Sequence, residues 1–299
     1  MNCGDNMISV SIGICAYNEE KNIGNLLDRL LSQKTKKIKI DEIIVVSSGS
    51  TDRTDEIVRE YSKKDDRINL ITQPKREGKA SAINEFLKVA NGDVCVLESA
   101  DTLPLDDTIE KLCLPFYDEK VGMVGGHPIP TNDRNKFIGF VGHLLWELHH
   151  HIALENPKLG ELIAFRNVID KISPNTAVDE AWIEALIREK GYKIVYAPDA
   201  ICYNKAPETI SDFIKQRRRI HAGHLHLKKE LGYSVSTMNI GTVLKALKKV
   251  NLTPKERIYL IGAIALEGYC RVLGYLDYYV FKKNHVVWEM VETTKEVIR

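Results

Sequence analysis

A chain of 299 residues, 28% charged and 44% hydrophobic, has enough apolar material for one large folded domain or a domain with an appendage. Its net charge of +1 gives no global reason to expect nucleic acid, and no nucleic-acid partner is expected. Six Cys are scattered without a C-x-x-C, which excludes a zinc knuckle or redox dithiol and leaves reduced, buried thiols.

Residues 1–5 have no apolar h-region, so no signal peptide is expected. Residues 8–15 alternate with β-branched side chains and predict a strand. Residues 18–32 show helical spacing through Ile23, Leu26, Leu27, Leu30 and Leu31, with Asn18 as the expected N-cap. The apolar run 43–46 predicts a strand buried on both faces. A polar turn over 47–52 follows, and Asp52 opens a helix to about Tyr61. The unit then repeats as strand 68–72, helix 79–90 and strand 94–97. This alternation predicts an α/β, doubly wound, mostly parallel sheet flanked by helices, with ligands beyond the carboxyl ends of its strands. Tyr17, Ser48 and Asp101 all fall at such ends.

After Asp101 the pattern changes. Residues 121–126, 159–166 and 194–196 predict strands, and 181–190 a helix stopped by Gly191. Residues 137–154 are apolar and aromatic with interleaved His. Everything from Thr209 onward predicts helix, so the expected units are 1–206 and a C-terminal helical segment, 207–299. Residues 258–280 are apolar and long enough to span a bilayer, but Glu267, Arg271 and Asp277 would each cost about 2.5–3.5 kcal/mol at its centre. A helix lying on a membrane or on the protein is the expectation. Lys and Arg crowd residues 215–229 and 245–257 and give this third a basic face.

A carboxylate at a strand end, an acidic pair and a cationic helix suit a metal-bound diphosphate and an acceptor hydroxyl. In this order the motifs resemble the family 2 inverting glycosyltransferases, which have the GT-A nucleotide-sugar-binding fold. Ala16-Tyr17-Asn18-Glu19 is similar to the opening P-x-Y-N-E, and residues 45–52 to V-V-D-D-G-S-T-D. Residues 76–84 are similar to the stretch containing G-K-A-x-A-L-N, and Ser99-Ala100-Asp101-Thr102 to D-A-D-T. Asp179-Glu180 is similar to the E-D pair, and residues 216–220 to the Q-x-x-R-W motif of the cellulose-synthase-like branch. Polyprenyl-linked sugar transferases are a neighbouring branch. Ser47 and Ser48 depart from two Asp, Ser99 from the first metal-motif Asp, and Ile220 from Trp.

The resemblance implies Glu180 as catalytic base, with Asp179 as its alternative. It implies donor binding by Ala16, Tyr17, Glu19, Ser48, Lys79, Ser99, Ala100, Asp101, Gln216, Arg217 and Arg219. It also implies Mg²⁺ or Mn²⁺ held by Asp101. The expected partners are a nucleotide-diphosphate sugar, GDP- or UDP-linked, and a glycan or lipid-linked acceptor. The expected location is cytoplasmic, peripheral at the inner face of the cell membrane. Two rival functions stay open: a polyprenyl-phosphate sugar synthase and a non-catalytic nucleotide-sugar-binding protein. At residue level Asp101 also suits a helix cap, Asp179-Glu180 a helix dipole, and the Arg run a solvated face. The His groups at 149–151 and 221–226 fit an acceptor cleft or membrane-facing surface better than a metal, because neighbouring His on a helix do not face together.

Overall fold

The computed structural model describes residues 7–283 and 285–287; Cys3 and the segment 1–5 lie outside them. In chain order the first half is β1 (Ile8–Ala16), α1 (Ile23–Leu31), β2 (Ile38–Ser48), α2 (Thr54–Ser62), β3 (Ile68–Gln73), α3 (Lys79–Val89) and β4 (Val94–Ser99). Then come β5 (Thr102–Pro104), α4 (Thr108–Cys113), β6 (Val121–Pro130), α5 (Phe137–Ala153), β7 (Ile163–Arg166), α6 (Asp179–Glu189) and β8 (Lys193–Asn204). Three helices close the described chain: α7 (Ile210–Leu231), α8 (Ile240–Leu247) and α9 (Pro254–Tyr279).

One sheet of eight strands runs β3-β2-β1-β4-β7-β6-β8-β5. Its first four strands are parallel, as the repeating strand–helix pattern implies. Beyond them β7 runs antiparallel to both β4 and β6, while β6 and β8 are parallel. The sheet is therefore mixed, parallel on the side where the sequence alternates strand and helix. Burial on both faces explains the apolar runs. Val10, Ile12, Ile14, Ile43, Val45, Val94 and Val96 join one core with α1 and α4. Their alternates Ile44, Val46, Cys95 and Leu97 join the other, with α3 and α6. Each such side chain, fully buried, contributes about 1.5–3 kcal/mol.

Register brings the strand ends level. Ala16 pairs with Ser47 and Cys15 with Ser99, so the loops after β1, β2 and β4 open on one edge. Asn18 is not an N-cap. It sits at φ 53°, accepts from Thr51 N (2.8 Å) and donates from Nδ2 to Thr51 Oγ1 (3.3 Å). Its side chain therefore ties two strand-end loops together, and α1 starts later, at Ile23. Asp52 does behave as expected, accepting from Thr54 N (3.0 Å) at the start of α2.

The segment 137–154 is one helix, α5. It packs with α7 and α9 in a third cluster holding Phe140, Leu144, Phe213, Ala263 and Cys270. The step from β8 to α7 thus falls where the sequence changes character, but the closing helices pack directly on the sheet-bearing part. Helix α9 lies along α7 at close range. A Cβ on Gly274 would meet the Arg218 carbonyl oxygen at 2.6 Å, so this crossing needs glycine. Two ion pairs fix it: Arg217 to Glu267 (2.8 Å) and Arg218 to Asp277 (2.5 Å). Two of the three charges that argue against a spanning helix, Glu267 and Asp277, are therefore turned onto α7, and Arg271 pairs with Glu267 on its own helix (3.0 Å). The five Cys among the described residues are free, four of them buried.

Candidate active site

A cavity of about 680 Å³ opens where the strand-end loops meet α5, α6, α7 and α9. Ala16, Tyr17 and Glu19 reach it from the loop after β1, and Ser99, Ala100 and Asp101 from the turn after β4. Lys79, Asp179 and Glu180 form part of its wall, and Gln216, Arg217 and Arg219 line it from α7. Ser48 is the exception among the candidates. It is buried and absent from the lining, and its hydroxyl accepts from Glu77 N (3.1 Å). It shapes the loop that delivers Lys79.

That loop is specific. Gly78 has φ 92°, in the left-handed region that favours glycine, and α3 begins at the next residue. Lys79 is thereby aimed across the cavity at α6. Its Nζ lies 2.9 Å from Asp179 Oδ2 and 2.9 Å from Glu180 Oε1. Both carboxylates occupy the first turn of α6, where the helix dipole favours negative charge. Burial works to raise both. At Glu180 the charge of Lys79 and its hydrogen bond prevail, and the carboxyl falls below its ordinary range. At Asp179 burial and the neighbouring Glu180 prevail, and the carboxyl is raised. Burial opposes the Lys79 ammonium, yet the two carboxylates hold it well above its usual value. The arrangement sets two carboxylates on one ammonium, with Glu180 the more readily ionised of the pair, in the wall of a space able to hold a substrate.

Asp101 stands in the tight turn between β4 and β5. Thr102 pins that turn through its hydroxyl, which hydrogen-bonds with the Glu98 carboxyl and with Ser99 O (2.7 Å). Burial pushes the Glu98 carboxyl up to about 8. Glu161, from the loop between α5 and β7, also lines the cavity. Burial first and then the Asp101 charge push its carboxyl up to about 7. Glu161 has φ 52°, a conformation that costs a non-glycine residue about 1–3 kcal/mol. Nothing local in the sequence marks it, since a lone Glu beside Gly160 is an ordinary loop signal. Lys158, in the same loop, was equally unmarked. Near the opposite end the Arg76 guanidinium stacks over the Tyr17 ring at 4.0 Å.

The three Arg of α7 divide their work. Arg217 lines the cavity, but its fork is engaged by Glu267 (2.9 and 2.8 Å). Arg218 turns to Asp277 and is absent from the lining. Arg219 faces the carboxylates. Burial lowers its guanidinium to about 10 against the pull of Asp179, Glu180 and Glu161. His149, His221 and His224 line the cavity as well, and no group of three or more metal-ligating side chains occurs among the described residues.

The glycosyl transferase family 2 model matches residues 11–186, more than half of the chain. Among curated proteins the chain is 28% identical over 247 residues to poly-beta-1,6-N-acetyl-D-glucosamine synthase of Staphylococcus aureus, covering 78% of this chain and 59% of that protein. The synthase of the same name from Staphylococcus epidermidis is 25% identical over 261 residues, covering 81% and 61%. The chain thus spans about 59% of the length of the first of these relatives. Among solved structures, a mannosyltransferase from Pyrobaculum calidifontis in complex with GDP-Man and Mn²⁺ superposes with TM-score 0.64 and 21% identity, covering 93% of this chain and 88% of that one. Glucosyl-3-phosphoglycerate synthase from Mycobacterium tuberculosis, with Mn²⁺, UDP-Glc and glycerol 3-phosphate, superposes with TM-score 0.54 and 19% identity, covering 77% and 82%. The fold is of the GT-A type.

Proposed function

The chain belongs to glycosyl transferase family 2, and from that premise we propose a metal-dependent, inverting transfer of a sugar from a GDP- or UDP-sugar to a hydroxyl of a glycan or lipid-linked glycan. One observation carries this reading. A single cavity joins Asp101, at the end of a parallel strand, to Asp179, Glu180 and Lys79. In the transfer, the acceptor oxygen bonds to the anomeric carbon as the bond from that carbon to the diphosphate oxygen breaks. The leaving electron pair goes to the diphosphate, and the acceptor proton goes to Glu180. Attack from the face opposite the leaving group inverts the anomeric centre. Glu180 suits the base because Lys79 keeps it ionised, and a positioned base contributes roughly 10²- to 10⁴-fold. Lys79 and Arg219 are placed to meet the diphosphate with fixed positive charge.

A divalent cation fits beside Asp101. The nearby acidic donors are hard oxygens, and the mutual repulsion of Asp101 and Glu161 is one that a cation relieves. The protein would hold it through Asp101, with donor phosphate oxygens completing the shell, as suits Mg²⁺ or Mn²⁺. When bound, the ion offsets charge developing on the diphosphate. That the Pyrobaculum and Mycobacterium proteins are in complex with both Mn²⁺ and a nucleotide sugar supports this reading.

We place the enzyme peripherally at the inner face of the cell membrane. Ile258, Ile261, Ile264, Val272, Tyr275 and Tyr279 form an exposed stripe at helical spacing on α9. Helix α9 is also long and apolar enough to cross a membrane.

A thermal-shift comparison of UDP, GDP, CDP and dTDP, each with and without Mn²⁺, tests the donor site. Selective, metal-dependent stabilisation by a diphosphate is expected, and Asp101→Asn should remove the metal dependence. A protein indifferent to all four would contradict the reading.

A further inference from the structure

Lys79 is delivered by a loop that cannot hold itself. Gly78, just before it, has no side chain to cap α3, and glycine restricts its own backbone least of all residues. Within the sheet-bearing part, Ser48 holds the loop through Glu77 N (3.1 Å). A second support comes from the chain that follows α9. A Cβ on Gly78 would meet the Val286 carbonyl oxygen at 2.6 Å and Val286 Cγ1 at 3.2 Å. Glycine is thus required here twice, for its φ of 92° and for the approach of Val286.

Val286 is brought there by a hydrogen-bonded turn. Lys282 is left-handed (φ 49°), and three amides close the turn onto the end of α9. Val280 N donates to Leu276 O (3.0 Å), Phe281 N to Leu276 O (2.9 Å) and Lys283 N to Asp277 O (2.8 Å). His285 then donates from Nε2 to the buried Asp277 carboxylate (2.9 Å). Asp277 also accepts from Arg218 Nε (2.7 Å) and Nη2 (2.5 Å). Burial opposes its charge, yet the hydrogen bonds and charge of Arg218 keep the Asp277 carboxyl below its ordinary range, so it accepts from both partners. One buried carboxylate therefore joins α7, α9 and the returning chain. That junction stands behind both cations placed to meet the diphosphate. Arg219 follows Arg218 on α7, and Lys79 follows Gly78. Both line the cavity, whereas His285 and Val286 do not.

We propose that His285 is a positioning residue for the transfer: through Asp277 it holds Val286 against Gly78 and so clamps the Lys79 loop to α7. This rests on the transferase reading and names a residue outside the cavity on which that chemistry depends. Two cations that must meet one diphosphate are useful only at a fixed separation, set before substrate arrives. The clamp sets it. It also keeps the Lys79 ammonium 2.9 Å from Glu180, the contact that holds this carboxylate ionised.

The test is a double-mutant cycle in the full chain, with His285→Ala, Lys79→Met and the pair. Each protein is read by the pH dependence of kcat/KM and by its affinity for UDP and GDP with Mn²⁺. His285→Ala should weaken the nucleoside diphosphate and lower kcat/KM by about tenfold or more. It should also move the acidic limb of the pH–rate profile upward, because a displaced Lys79 no longer lowers Glu180. In the Lys79→Met background the same substitution should leave the limb where it is. His285→Gln, whose amide can donate to Asp277, should restore both readings. Amide exchange at residues 77–80 reads the clamp without substrate: it should quicken in His285→Ala and not in His285→Gln. Asp277 keeps its Arg218 pair throughout, so the fold should persist; His285→Phe, which keeps the ring and loses the donor, replaces the alanine variant if that one unfolds. Unchanged exchange and kinetics, a limb shift of equal size with and without Lys79, or tighter nucleotide binding in His285→Ala overturns the proposal. A wild-type chain that binds neither nucleotide and transfers no sugar loses the transferase reading and this role together. A wild-type chain that transfers, matched by His285→Ala, loses only the clamp.

Discussion

Lys79 touches two carboxylates at once, and the effect on each has a sign. Glu180 is lowered below the ordinary value for Glu, about 4.3, so it is ionised at neutral pH. As base it must be deprotonated, so activity is lost only as pH falls through that lowered value. Lys79→Met removes the lowering partner, and the acidic limb of the pH–rate profile should move upward; a limb that stays put would show that Lys79 does not set this ionisation. Glu180→Gln should lower kcat by about 10²-fold or more with donor affinity little changed. Asp179→Asn, removing a group that burial holds toward neutrality, should cost less. The reverse order in single-turnover assays would make Asp179 the base. Residue type and motif order were enough to name Asp101, Lys79, Asp179 and Glu180 from sequence. Glu161 and Lys158 were not legible, because they enter the cavity through a loop conformation (φ 52° at Glu161) that no local pattern announces.

The three closing helices hold together through a few contacts that can be broken singly. Glu267 receives both Arg217 and Arg271, and although burial opposes it, these partners bring its carboxyl down to about 2. A carboxyl lowered on folding gives stability that is present above its unfolded value, about 4.3. That stability is lost as pH falls toward 2. Glu267→Gln should therefore destabilise the protein at pH 7 by about 2 kcal/mol, given partial exposure, and flatten stability between pH 4.3 and 2. Denaturant melts at pH 7 and pH 3 read both effects. Gly274→Val should be more severe, since its side chain would meet the Arg218 backbone and part α9 from α7. The elements themselves were unequally legible. Strands and helices through β4 followed from alternating runs, because burial on both faces leaves a strong apolar signal. Helix α5 carries apolar residues and His nearly all round, so no single face marked it. The antiparallel placement of β7 is a matter of distant pairing and left no local trace.

At the scale of the whole molecule, membrane docking would draw on the exposed apolar stripe of α9 and on the basic residues that precede and open it in the chain. Lys245, Lys248 and Lys249 lie at the end of α8 and Lys255 and Arg257 in the first turn of α9, although Glu155 pairs with Lys245 and Lys249 at 2.6 Å each. Each uncompensated cation adds about 1 kcal/mol near an anionic leaflet. Co-flotation with anionic liposomes should therefore weaken at high salt and weaken further in Ile261→Glu. Retention until detergent is added would instead place α9 across the bilayer, and a protein that never floats would remove the membrane from the account. The central claim concerns chemistry, and a product analysis tests it most directly. Purified protein is incubated with radiolabelled UDP- or GDP-sugars, Mn²⁺ and candidate acceptors, alongside Asp101→Asn and Glu180→Gln. The account predicts stoichiometric nucleoside diphosphate and glycoside, an anomeric configuration opposite to the donor's, and loss of both products in the two variants. Transfer with retained configuration, or undiminished transfer in both variants, would contradict it.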